Sequence, residues 1–322
     1  MKSLNILVTG GAGFIGSNFI RYILKNTDHD IVNIDKLTYA GNLENLKDIK
    51  NNERYKFYQG DICNKNLINK LVSNEVDIIV NFAAESHVDK SIDNPNIFFK
   101  TNVLGTQVLL DAAVKNNIKK FIQISTDEVY GPGDGKLYHT EEEALSPTNP
   151  YAASKASSDL IVKSYHKTYG LPINICRSTN NYGYYQYPEK IIPLFVTNLL
   201  EGRKVPLYGN GEQIRDWLYV KDHCKAIQLV LEDGKEGEIY NISSDNKYSN
   251  IELTKLILDY LNEPYSKIEY VEDRVAHDHG YYIDAAKIKD HFNWEAEYSF
   301  KEGLKKTINW YKQNKNWWKK LK

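Results

Sequence analysis

Five side chains near the middle of the chain have the types and spacing to oxidise an alcohol and then eliminate something from it. Tyr151 and Lys155 form a Tyr-x-x-x-Lys pair, and their i,i+4 separation puts both on one face of a helix. A free tyrosine titrates at about 10, and a neighbouring ammonium favours the phenolate, which brings the residue toward use as a general base. Upstream, the apolar run Phe121-Ile122-Gln123-Ile124 leads into Ser125-Thr126-Asp127-Glu128. In an open α/β sheet the chemistry gathers beyond the carboxyl ends of the strands, where this triplet Thr126, Asp127 and Glu128 would stand. A Tyr/Lys pair needs no adjacent carboxyls to oxidise an alcohol. Asp127 and Glu128 therefore point to a second step, since like charges in a closed site push their pKa values apart into an acid and a base.

These residues need a frame. The first half alternates short apolar runs with helical patterns, which predicts βαβ units and a parallel sheet. Strands are expected at 5–9, 30–34, 55–59, 78–81 and 120–125, with a sixth at 171–177. Helices are expected at 15–24, 102–115 and 151–169, the last starting at the Pro147…Pro150 turn. Gly10, Gly13 and Gly16 lie between the first strand and the first helix, the context of a dinucleotide-binding loop. Gly10 permits the turn, Gly13 lets backbone approach a pyrophosphate, and Gly16 allows close packing, while the helix N-terminus receives the anion. Asp35 ends the second strand about twenty residues on, where an aspartate binds ribose hydroxyls and repels a 2′-phosphate. The expected cofactor is NAD, whose nicotinamide charge adds to that of Lys155 beside Tyr151. Asp61, after the third strand, suits the adenine end of the cofactor and equally a helix N-cap.

Composition narrows the rest. The 322 residues hold 41 Lys and Arg against 42 Asp and Glu, so there is no global charge case for nucleic acid or an anionic membrane. Mean hydropathy is −0.53 and no apolar run approaches a membrane span. The N-terminal residues run straight into the glycine motif and read as fold, not as a signal peptide. Cys63, Cys176 and Cys224 are few, odd in number and widely spaced, which fits thiols in a reducing cytoplasm and neither a disulfide framework nor a metal site. After Tyr182 the βα alternation stops and Tyr, Pro and Gly cluster. The expected architecture is α/β: a Rossmann-type doubly wound parallel sheet over 1–180 and a smaller mixed α/β substrate lobe over 181–322, with 238–242 able to return to the first lobe.

With those features in place the chain resembles the extended short-chain dehydrogenase/reductases, and within them the nucleotide-diphosphate-glucose 4,6-dehydratases. The likeness runs nearly end to end. It includes Asp35-Lys36-Leu37-Thr38-Tyr39-Ala40-Gly41-Asn42, Ala83-Ala84-Glu85-Ser86-His87-Val88-Asp89, the Thr126-Asp127-Glu128 triplet and Asn149-Pro150-Tyr151-Ala152-Ala153-Ser154-Lys155. It continues through Asn180-Asn181-Tyr182-Gly183, Pro188-Glu189-Lys190 and Gln213-Ile214-Arg215-Asp216-Trp217. The resemblance implies that Tyr151, aided by Thr126 and Lys155, oxidises C4 of the sugar, that Glu128 removes the C5 proton, and that Asp127 protonates the departing C6 hydroxyl. It adds Phe14, Ile15, Lys36, Thr38, Ile62, Ala83, Ala84 and Asn181 to the cofactor set, with Tyr151 and Lys155.

The implied substrate is a nucleotide-diphosphate hexose. Arg215 is the expected phosphate ligand, since a guanidinium grips phosphate bidentately. Asn180, Lys190 and Asn250 are further ligands by resemblance, Ser86 and Thr126 face the hexose, and Val205-Pro206-Leu207-Tyr208 lines the base pocket. Arg274, His277 and Tyr281 belong to the segment expected to close over the nucleotide. The chain departs from the family pattern there, with Val275-Ala276 for Pro-Gly and Gly280 for arginine, and again at Gly183-Tyr184, where a glycine-proline is usual. dTDP-glucose is the first expectation, with UDP-glucose and CDP-glucose as alternatives. A nucleotide-sugar 4-epimerase would lack the acid pair, a decarboxylase would not need Asp127, and an idle NAD-binding scaffold would need none of the four reactive groups. His87 reads as a hydrogen-bonded structural residue, and Trp310, Trp317 and Trp318 as a terminal helix docked on the fold rather than a membrane or nucleic-acid surface. The family further implies a homodimer built on the 102–115 and 151–169 helices.

Overall fold

The computed structural model describes residues 3–73, 76–273 and 278–322. Strand β1 (Asn5–Thr9) is followed by helix α1 (Phe14–Asn26), β2 (Asp30–Asp35), β3 (Tyr55–Gln59), α2 (Lys65–Val72) and β4 (Ile78–Asn81). Next come α3 (Val88–Asp93), α4 (Pro95–Phe98), α5 (Thr106–Lys115), β5 (Lys120–Thr126), α6 (Pro150–Tyr169) and β6 (Ile173–Ser178). Strands buried on both faces read as near-continuous apolar runs, and β4 and β6 are buried at every position. Alternate side chains serve opposite layers: Ile6 and Val8 pack with α1, while Leu7 packs on the side of α2 and α5.

The later elements are β7 (Asn180–Tyr182), α7 (Ile191–Leu200), β8 (Val205–Tyr208), β9 (Ile214–Tyr219) and α8 (Val220–Asp233). They continue with β10 (Ile239–Ile242), β11 (Lys247–Ser249), α9 (Asn250–Leu261), β12 (Ile268–Val271), α10 (Ala286–Phe292), α11 (Phe300–Gln313) and α12 (Lys315–Trp318). Among the described residues seven strands form one parallel sheet in the order β10-β6-β5-β4-β1-β2-β3. The order reverses between β1 and β4, so a crevice opens there beyond the strand ends. The chain crosses between the lobes more than once after residue 180. β10 pairs with β6, and α8 packs its Cys224, Ile227 and Val230 in the same layer as α1.

The smaller lobe holds a three-stranded sheet, β11-β9-β7, and a β12-β8 pair. Its core gathers α7, α9 and α11 around Tyr182, Trp217 and Phe300. The terminal tryptophans dock as expected: Trp318 is fully buried, and the Trp317 indole donates to Asn45 Oδ1 at 2.8 Å. One helix differs from its expected form. Phe99–Gly105 is wound as a π-helix before α5 begins. Asn102 there donates to Glu85 O at 3.0 Å and to Ser154 Oγ at 2.8 Å, while a Cβ on Gly105 would press Ile62 at 2.5 Å. Cross-element bonding and close packing thus shape a turn that apolar periodicity could not distinguish from α-helix. No helix among the described residues is long and apolar enough to cross a membrane.

Candidate active site

The crevice is about 750 Å³ and runs from the glycine loop to the smaller lobe. Gly10 has φ +67°, and a Cβ there would lie 2.8 Å from the backbone of Ala83. The β1 turn and the end of β4 can therefore meet only with glycine at this position. A Cβ on Gly16 would come within 2.5 Å of Gly10 O, so α1 begins tight against the loop. Gly13 is the N-cap of α1 and supplies no side-chain cap, which leaves the first-turn N–H groups to an anion in the crevice. The Asp35 carboxylate accepts from Ala12 N at 2.9 Å and Leu37 N at 2.8 Å, fixing the loop while it lines the crevice. Asp61 binds Lys36 Nζ at 2.8 Å and accepts from Cys63 N at 2.9 Å; the N-cap of α2 is Asn64, which corrects the capping alternative for Asp61. Phe14, Ile15, Thr38, Ile62, Ala83 and Ala84 complete this wall. A glycine cradle, an open helix N-terminus and an acid at the end of β2 fit NAD.

At the end of β5 the chain turns through Asp127–Tyr130, so Thr126, Asp127 and Glu128 face the crevice with Tyr151 and Lys155 of α6. Thr126 Oγ1 donates to Asp127 Oδ1 at 3.1 Å and accepts from Glu128 N at 3.3 Å. Burial, then the charge of Glu128, pushes the Asp127 carboxyl up to about 8. Burial also raises Glu128, against the hydrogen bond from Asn149 and the charges of Arg215 and Lys190. Asp127 is thus protonated at neutral pH, as a proton donor must be.

Tyr151 departs from expectation. Burial, followed by Glu128, pushes its phenol above the ordinary range, and the hydrogen bond with Thr126 opposes this. Lys155 does not hold the phenol directly: its Nζ donates to Ile124 O at 2.6 Å, and burial lowers it to about 8, with Asp159 working the other way. Within the chain the Thr126 hydrogen bond is what opposes the rise at Tyr151, because the buried ammonium is turned toward the strand; NAD, when bound, would supply further positive charge. The Phe98 ring meets Tyr151 edge-on with centroids 6.4 Å apart.

On the far wall stand Ser86, Asn180, Asn181, Lys190, Tyr208, Arg215, Asn250 and Tyr281. Lys190 Nζ donates to Ser86 O at 3.0 Å, joining the two lobes. Arg215 donates to Asp278 O at 3.1 Å and His279 O at 3.2 Å, with its guanidinium 5.1 Å from the Tyr281 ring centre. The expected phosphate ligand therefore also clasps the 278–281 segment. Asn181 is held by His223, whose Nδ1 lies 2.8 Å from Asn181 Oδ1 and which burial keeps neutral, down at about 3.

A profile of the family described as GDP-mannose 4,6 dehydratase matches residues 7–307. The chain belongs to the GDP-mannose 4,6-dehydratase family. It is 50% identical to the low-salt glycan biosynthesis protein Agl12 of Haloferax volcanii over 96% of this chain and 98% of that protein. The dTDP-glucose 4,6-dehydratase of Bacillus anthracis, solved in complex with NAD, is 49% identical with a TM-score of 0.93, covering 99% of this chain and all of that one. That of Streptomyces venezuelae, also solved with NAD, is 47% identical with a TM-score of 0.97 over 99% of this chain and 100% of its own.

In this member of the dehydratase family every expected site residue within the described segments lines one crevice except Val205, which is buried in the core of the smaller lobe. Arg274 and His277 lie outside the described residues. His87 caps α3, accepting from Lys90 N at 3.4 Å, and also lines the crevice. Sequence reasoning gave no role to Asn149, Asp278 or Glu189. Asn149 donates to Glu128, Asp278 accepts from Thr148 Oγ1 at 2.7 Å, and Glu189 accepts from Tyr39 at 2.9 Å. Asn149 carried the one available signal, as an Asn before Pro at a helix start. Among the described residues no group of three His, Cys, Asp or Glu side chains is placed to hold a metal ion.

Proposed function

We propose that the chain dehydrates a nucleotide-diphosphate glucose, dTDP-glucose foremost, to its 4-keto-6-deoxy derivative, using NAD that is regenerated in each turnover. The observation that carries this reading is the buried Asp127 next to Glu128 in the crevice that holds Tyr151, where burial and the neighbouring charge favour its protonated form. The chemistry NAD supplies when bound is reversible hydride transfer, out of C4 at the start and into C6 at the end. Tyr151, hydrogen-bonded to Thr126, takes the C4 hydroxyl proton. The resulting 4-ketone acidifies the C5 hydrogen, and Glu128 removes it as a proton and returns it to C5 when hydride enters at C6. Asp127 gives its proton to the departing C6 hydroxyl, which leaves as water as the C5–C6 double bond forms. Lys155 holds positive charge at the end of β5, and Arg215 and Lys190 supply cationic charge for the diphosphate.

Incubation with dTDP-glucose should yield a 4-keto sugar, read by its absorbance in alkali. No such product from dTDP-, UDP- or CDP-glucose would sink the proposal. The Asp127→Asn, Glu128→Gln double variant should stop at the 4-keto hexose without losing the C6 oxygen. A homodimer is supported by apolar side chains on the faces of the expected helices, with Leu104 55% and Leu160 57% exposed. Sedimentation at micromolar concentration checks it, and a monomer would reject it.

A further inference from the structure

The Asn149 amide points two ways at once. Its Oδ1 accepts from Ala152 N at 2.9 Å, capping the helix that carries Tyr151 and Lys155. Its Nδ2 donates to Glu128 Oε2 at 3.3 Å. The orientation is fixed by chemistry, since Ala152 N–H is a donor and must face the amide oxygen. Capping alone does not explain asparagine here, because Asp and Ser cap a helix about as well. Only Asn among these caps joins an acceptor for the helix to an amide donor for a carboxylate. Asn149 has extended backbone and is followed by Pro150 at the first helical position, so the amide starts from a restrained chain.

We propose that Asn149 is a positioning residue that couples the two half-reactions, holding the C5 base Glu128 at a fixed offset from the helix that bears the C4 redox pair. This rests on the reading of Glu128 given above. The carboxylate has few other restraints: its backbone N–H is tied to Thr126, while the side chain reaches into the crevice. Arg215, Lys190, Asp278, Asp127 and the phenols of Tyr151 and Tyr281 face it with charge or titratable protons. A donor on Oε2 also favours the ionised base, so loss of the amide moves Glu128 upward.

The test is N149S and N149D, which keep the cap, beside E128Q, with dTDP-glucose deuterated at C4 or at C5. A melting temperature close to the parent's shows that the cap survives. In N149S the C5 step should slow about tenfold, the order expected for losing a hydrogen bond to a charged group. The isotope effect on kcat from C5 deuterium then grows while that from C4 deuterium does not. The acidic limb of kcat should move to higher pH in N149S and further in N149D, where a second carboxylate meets Glu128. Parent-like isotope effects and acidic limbs in both variants, with E128Q inactive at C5, would overturn the role of Asn149 alone. C5 deprotonation surviving in E128Q would overturn the reading of Glu128 as well.

Discussion

Asp159 and Arg177 form a buried ion pair, Nε to Oδ2 at 2.9 Å, with side chains 0% and 1% exposed. The pair lies directly beneath the reaction centre. Ser125 Oγ donates to the same Asp159 oxygen at 3.0 Å, and Arg177 continues to the Tyr130 hydroxyl at 2.8 Å. Asp159 is one turn beyond Lys155 on α6, which itself follows Tyr151 by one turn. Removing one partner of a buried pair leaves an uncompensated charge, so Arg177→Met should cost about 3–5 kcal/mol. Chemical denaturation checks this, and a loss under about 1 kcal/mol would show the network to be dispensable.

With Asp127 as the proposed acid, turnover should have an upper pH limit. The Asp127 carboxyl, raised to about 8, must be protonated to act as the acid, so kcat should fall above that pH and Asp127→Asn should lose most activity at every pH. Lys155 titrates in the same range, at about 8, so the parent's falling limb should be steeper than one proton requires. A flat profile to about pH 10 would contradict the assignment.

Stability carries the same signature with a defined sign. Asp127 rises on folding from 3.8 to about 8, so its favourable contribution is complete below the lower value and lost as pH climbs through the upper. Asp127→Asn should therefore melt several degrees above the parent at about pH 9 and close to it at about pH 4. Equal melting temperatures at both would reject the raised value. Lys155, lowered on folding, acts oppositely over its own range and is common to both proteins.

Gly10→Ala should weaken NAD binding by about a hundredfold or more, since the new Cβ meets Ala83 backbone at 2.8 Å and the φ of +67° is strained for alanine. Titration calorimetry measures it directly. Gly202, also at positive φ but with nothing within 4 Å of its Cβ, is the control, and Gly202→Ala should leave NAD binding intact.

Asp35→Ala should narrow the preference for NAD over NADP while weakening both, because the same carboxylate holds Ala12 N and Leu37 N. Binding of each dinucleotide reports it. Unchanged discrimination would place the selectivity elsewhere in the crevice.

Much of the site was legible because it is written in local spacing. Gly10, Gly13 and Gly16 follow a strand, Tyr151 and Lys155 share a helix face, and Asp127 adjoins Glu128 at a strand end. Most of the six early strands follow from apolar runs of the length a parallel sheet buries, while the edge strand β3 is mixed in sequence and largely exposed. Less legible were the π-helical turn at Phe99–Gly105, set by Asn102 bonding to Glu85 and Ser154, and the return of α8 to the first layer, since amphipathic spacing does not say which sheet a helix covers.

The sequence by itself determined the proposed chemistry: residue types and short spacings point to a dinucleotide loop, an oxidising pair and an acid beside a base, because each depends on a single turn or element. Only the tertiary structure decided how those groups are tuned. Lys155 turns to Ile124 O rather than to Tyr151, Asn149 reaches back to Glu128, and Glu189 crosses between lobes to Tyr39. Those contacts join side chains on different elements, so their distances and the burial that shifts their protons are fixed by packing.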